Sequence, residues 1–162
     1  MRKLVFISDF FAKHVQGGAE ICDDVLINEL KKRTKVATFR SSDFGVKHLE
    51  FYLFHDYNFV ISNFVNLSQQ VITRLQSVGS RYIIIEHDHK YLKTRNPSIF
   101  KDYKAPPEYI VNKQFYSSAK MVFCQSEKHK SVLQKNLKID NVVSLSCSLW
   151  SKEQLDFIRS SI

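Results

Sequence analysis

The sequence predicts one α/β domain, a mainly parallel sheet of about six strands with helices on both faces. Three observations lead there. Short apolar runs recur along the chain without clean alternation, and stretches with helical spacing lie between them. The length, 162 residues, suits a single hydrophobic core that needs no disulfide or metal staple.

The apolar runs are Leu4–Ile7, Val36–Phe39, Phe59–Ile61, Tyr82–Ile85, Met121–Cys124 and Val142–Leu145. A strand with one wet face alternates apolar and polar residues, whereas these do not, so they read as strands covered on both sides. Helical spacing joins Cys22, Val25, Leu26 and Leu30 after the first run, and Val71, Ile72 and Leu75 before the fourth. It recurs in Val111, Phe115 and Ala119, then in Val132, Leu133 and Leu137. Pro106-Pro107-Glu108 predicts a helix start, because a first-turn proline sacrifices no internal hydrogen bond and an early carboxylate meets the positive end of the dipole. Ser126 is expected to cap the next helix with Glu127 in its first turn, and Ser151 opens a last one. From Asp88 to Ala105 no period is visible. Loops of that length in compact domains are usually functional or disordered, and this one carries Lys90, Lys93, Arg95, Lys101 and Lys104.

Hydrophobic residues make up 44% and charged residues 25%, which excludes a disordered or fibrous chain. The run that begins at Leu4 ends at Ser8-Asp9, too soon for a signal-peptide core or a membrane span. Cys22, Cys124 and Cys147 are odd in number and set in apolar sequence, so buried thiols in a reducing compartment, the cytoplasm, are expected, with no disulfide framework and no metal site. Lys and Arg outnumber Asp and Glu by 24 to 16, a net +8. That balance suits phosphates or anionic lipid headgroups, with peripheral membrane contact through the basic loop as one outcome. Nucleic acid is not expected as a partner, since the aromatics fall at core-like positions and no recognition motif interleaves them with Lys and Arg.

Ligands of an open parallel sheet bind beyond the carboxyl ends of its strands, and four clusters follow strands here. Gly17-Gly18-Ala19-Glu20 opens a helix, so its free amides could hold a phosphate, or it is a flexible turn. Glu86-His87-Asp88-His89 ends the most apolar strand and supplies acid and base groups near neutral pH, unless these only satisfy nearby backbone. Cys124-Gln125-Ser126-Glu127 is a third cluster, in which Ser126 has the competing role of a cap. Ser62-Asn63 is the fourth. His14, His48, His55 and His129 read as surface or packing residues.

Together, Lys3–Ile7, the Gly17-Gly18-Ala19-Glu20 turn with Leu26 and Leu30, the His87-Asp88 pair and the Ser126-Glu127 helix start resemble, in order, the N-terminal Rossmann-like domain of GT-B glycosyltransferases of the family-4 type. The resemblance implies a hexosyltransferase-like, acceptor-side domain of carbohydrate metabolism. It implies transfer of a sugar from a nucleotide-sugar donor, a substrate and not a cofactor, to a glycan or lipid-linked acceptor. By this likeness Gly17 and Gly18 face the donor diphosphate and His87 and Asp88 form the catalytic pair. Glu20, His89, Lys90, Arg95, Ser126 and Glu127 then shape the acceptor side of the cleft. Such enzymes carry a second, donor-binding domain for which 162 residues leave no room, so a partner subunit or C-terminal domain is implied for turnover. The alternative is a non-catalytic Rossmann-like module that binds an anionic ligand or partner; the fold hosts both.

Overall fold

A computed structural model describes residues 3–161. Six strands form one all-parallel sheet: β1 (Lys3–Ser8), β2 (Val36–Arg40), β3 (Tyr57–Ile61), β4 (Tyr82–Glu86), β5 (Met121–Cys124) and β6 (Val142–Ser144). Their spatial order is β2-β1-β3-β4-β5-β6. All six expected strands are present, and the chain is a single Rossmann-like α/β domain.

Six α-helices connect and follow them: α1 (Gly18–Lys31), α2 (Val46–Phe54), α3 (Gln69–Ser77), α4 (Lys113–Ser118), α5 (Glu127–Leu137) and α6 (Lys152–Ser160). Alternate strand residues divide the core. Val5, Ile7, Phe59, Ile61, Tyr82 and Ile84 face α2 to α5 in one large cluster. Phe6, Val60 and Ile85 face α1, meeting Ile27, Leu26 and Leu30 in a smaller one. Both sheet faces are therefore apolar, which is why the strands do not alternate.

Several local expectations hold. Ser126 caps α5 by accepting from the His129 amide at 3.1 Å, and Ser151 and Gln154 form a reciprocal capping box at α6. Others are corrected. Pro107–Tyr109 closes a single 3₁₀ turn, and α4 starts only at Lys113. The physical reason lies in competing backbone bonds. The Val111 amide donates to Tyr91 at 2.8 Å and the Lys93 amide to Tyr109 at 3.0 Å, holding the segment in a short antiparallel bridge between Leu92 and Ile110. Of the thiols, Cys124 is buried, Cys22 is half-buried and Cys147 is exposed, so the expectation of three buried cysteines fails for two. Burial raises the Cys124 pKa to about 11, which leaves it an inert thiol at neutral pH.

The sequence reading missed α2 because its apolar residues do not form one stripe. Leu49 is fully buried, while Phe51 and Phe54 are 56% and 86% exposed. Helix α6 buries none of its residues, and among the described residues no helix is long and apolar enough to cross a membrane.

One glycine is fixed by close approach. A Cβ on Gly79 would strike the Ser118 carbonyl, a backbone group that cannot step aside. Gly79→Ala should therefore cost about 1–3 kcal/mol in a denaturant melt.

Candidate functional site

Strand order reverses at β1, which lies between β2 and β3, so the chain leaves the sheet in opposite directions there and opens a crevice at the carboxyl rim. A cleft of about 650 Å³ occupies that place. Its walls come from the ends of several strands: Asp9 after β1, Asn63 after β3, His87 and Asp88 after β4, and Gln125 after β5. The start of α1 contributes Gly18 and Glu20, and the segment after β6 contributes Trp150.

The Asp9 carboxylate, 7% exposed, ties the loops after β1, β2 and β3 together. It accepts from the Ser41 hydroxyl and from the amides of Val65 at 2.9 Å and Asn66 at 3.0 Å. The cleft wall is thus pinned by backbone bonds to one buried anion.

His87 is nearly enclosed. Its Nε2 lies 3.2 Å from Asp23 Oδ1, and Asp23, 1% exposed, also accepts from the Ser8 hydroxyl at 3.2 Å. On the other side Nδ1 lies 3.4 Å from the Gln125 amide nitrogen. A carboxylate can only accept and an amide NH₂ can only donate, so the pairing favours a proton on Nε2 and a lone pair on Nδ1. The Gln125 contact is long enough for a ligand hydroxyl to replace it. Asp23 was not anticipated because it sits in the second turn of α1, where spacing alone reads as a helix face; nothing short of three-dimensional pairing marks it.

At the start of α1 both glycines have negative φ, so neither is required by backbone conformation. Their value lies in the missing Cβ. One on Gly17 would meet the Glu20 carboxylate, whereas one on Gly18 would enter open space. Gly17 itself is the N-cap and does not line the cleft; Gly18 does. Glu20, reached also by the Asn63 amide at 3.5 Å, lies over the amides that were expected to hold a phosphate.

The other expected residues separate. Asp88, Lys90 and Arg95 line the cleft, but Lys90 is not a free cation of a basic loop. It is 4% exposed, its ammonium bonded to Asp88 and 3.8 Å from Glu86. Arg95 reaches Asp88 at 3.4 Å. His89, Ser126 and Glu127 lie outside the cleft lining: the Ser126 hydroxyl caps α5, and Glu127 is exposed on the first turn of that helix.

His89 points into a buried cluster below the cleft. Its Nδ1 is 2.8 Å from the Tyr91 hydroxyl, and its ring lies 4.2 Å from that of His129. His129 therefore has an imidazole neighbour that the sequence did not suggest. Burial, then the adjacent His89, pushes its pKa down to about 4, and burial also lowers that of His89. Glu86, fully buried, anchors the same cluster by accepting from the Tyr116 hydroxyl and from the amides of Asp88 at 2.8 Å and Lys90 at 3.4 Å.

Among the described residues no three His, Cys, Asp or Glu side chains gather as a metal ion would require. The chemistry the cleft offers is hydrogen bonding to a polyhydroxylated group, with one imidazole lone pair at its back. No protein-family profile, curated protein or solved structure matches this chain.

Proposed function

We propose that the chain is the acceptor-side domain of a cytoplasmic sugar-transferring enzyme, its carboxyl-rim cleft receiving an acceptor hydroxyl beside His87 while a second domain presents the nucleotide sugar. One observation carries the reading: Gly18 at the start of α1 and the Asp23-oriented His87 line the same 650 Å³ cleft. The volume falls in the range of small-molecule sites. Its lining sets Asn63, Gln125 and Asp88 beside Phe10 and Trp150, a mix of hydrogen-bonding groups and flat apolar faces that suits a sugar ring. Asp23 holds the imidazole in one tautomer, leaving Nδ1 to accept the acceptor proton as the new glycosidic bond forms and the diphosphate departs.

The test begins with binding. Titration of the chain with a nucleotide sugar and with simple hexosides should shift the backbone NMR signals of Gly18, His87 and Gln125, and His87→Ala should weaken the hexoside effect at least tenfold. No shift with either class would remove the sugar reading and leave a non-catalytic module for an anionic partner. Gly18→Val separates fold from site: since a side chain there meets open space, stability should change by less than about 0.5 kcal/mol, while nucleotide-sugar affinity falls.

A further inference from the structure

A second hollow adjoins the first. On the α1 side of the sheet a groove of about 290 Å³ lies between α1 and the segment that follows β6. Its walls are carbon: Leu26 and Leu30 from α1, Ile83 and Phe123 from the strands, Leu4 at the base and Leu145 at the lip. The topology creates it, because α1 is the one helix packed on this face while α2 to α5 share the other. The two hollows are neighbours with a shared rim. Cys22, His87, Gln125, Ser148 and Leu149 line both, and the Cys22 thiol, 3.4 Å from the Leu149 carbonyl, ties the two walls together at the junction.

Polarity is graded from that rim outward. The carboxylates lie at the His87 end and are already committed: Asp23 to His87 and Ser8, and Glu86 to Tyr116 and Lys90. From His87 down to Ile83 the groove follows β4, roughly 13 Å at the ~3.3 Å rise of a parallel strand. Beyond the mouth it offers little that a polar ligand could bond.

From this shared rim we infer that the groove holds the hydrocarbon tail of a lipid-linked acceptor whose polar head lies at His87. The inference rests on the sugar-transfer reading for the identity of the head, and it selects the lipid-linked class from the acceptors that reading allows. The tail enters as a single chain along β4; the head stays at the Asp23–His87–Gln125 end. Burial of one methylene is worth ~0.8 kcal/mol, about fourfold in affinity.

The experiment is a calorimetric titration of the chain with n-alkyl β-glucosides from butyl to decyl, each below its micelle concentration. Affinity should rise about fourfold per methylene, then level off once the groove is full. Leu145→Asp, at a position 42% exposed, should abolish the dependence on chain length while leaving the affinity for methyl glucoside unchanged. Methyl NMR of the unaltered chain gives a readout that needs no variant: Leu26, Ile83 and Leu145 should shift with the decyl compound and not with methyl glucoside. Affinity independent of chain length overturns the proposal. So does a length dependence that leaves those methyls unmoved, which would be adsorption elsewhere, or one accompanied by doubling of mass in sedimentation, which would make the occupant a second copy. Methyl glucoside binding without any tail effect would sink the groove and spare the sugar reading; tail binding with no response to nucleotide sugar would do the reverse.

Discussion

Replacing Glu86 with alanine should cost about 3–5 kcal/mol of folding stability, the penalty for breaking a buried ion pair from one side. The carboxylate is fully buried and its oxygens meet four donors: the Tyr116 hydroxyl, two amides and the Lys90 ammonium. Its removal strands a phenol and leaves Lys90 to Asp88 alone. Glu86→Gln keeps the shape and part of the bonding but turns a charge-assisted acceptor into a neutral one, so it should fall between wild type and Glu86→Ala. Urea melts at neutral pH would rank the three. A loss under 1 kcal/mol for Glu86→Ala would mean that Lys90 and Tyr116 find other partners. Since the amides of Asp88 and Lys90 bond to this carboxylate, the alanine variant should also loosen the loop that forms one wall of the cleft.

Acid should destabilise the protein through its buried imidazoles. The pKa of His129 falls from 6.5 to about 4 in the fold, so on acidification the unfolded chain binds this proton first. The associated stability is complete above pH 6.5 and is lost as pH falls toward 4, by roughly 3 kcal/mol. His89, lowered by the same burial, adds to the loss with the same sign. Its ring contact with His129 means the second proton would enter beside the first, which steepens the limb. Because Nε2 of His129 has no hydrogen-bond partner among the described residues, His129→Phe gives up no bond there and should flatten part of the stability loss between pH 6.5 and 4. Chemical melts across that range would check it; an unchanged acid limb would place the sensitivity elsewhere.

The strand pattern was legible because it rests on covalently local facts. Val5, Phe6 and Ile7 are consecutive and all fully buried, so the absence of alternation reports two covered faces directly. The rim rule then brought Gly18, His87 and Gln125 under consideration from position alone. What escaped is what depends on pairing across the fold. Asp23 and His87 are 64 residues apart, and His89 and His129 are 40 apart by number; no period connects either pair. Lys90 illustrates a sharper failure. Its neighbours Lys93 and Arg95 suggested a solvated basic stretch, yet the turn after β4, with His89 at a φ of 59°, folds Lys90 inward onto Glu86. Helix α4 was displaced by backbone bonds to residues 91 and 93, partners that propensity does not weigh.

The strand order has a consequence for how the chain is made. β1 is the earliest strand along the chain and stands between β2 and β3, with Lys3 opposite Tyr57, a separation of 57 − 3 = 54 residues. Until β3 has left the ribosome, a strand whose Val5, Phe6 and Ile7 are fully buried in the finished protein has an unpaired edge and uncovered apolar side chains. Contacts so distant in sequence form slowly, and transiently bare strands of this kind invite aggregation. Yield in cells should therefore follow translation speed and chaperone supply between residues 3 and 61 more closely than it follows the stability of the finished domain.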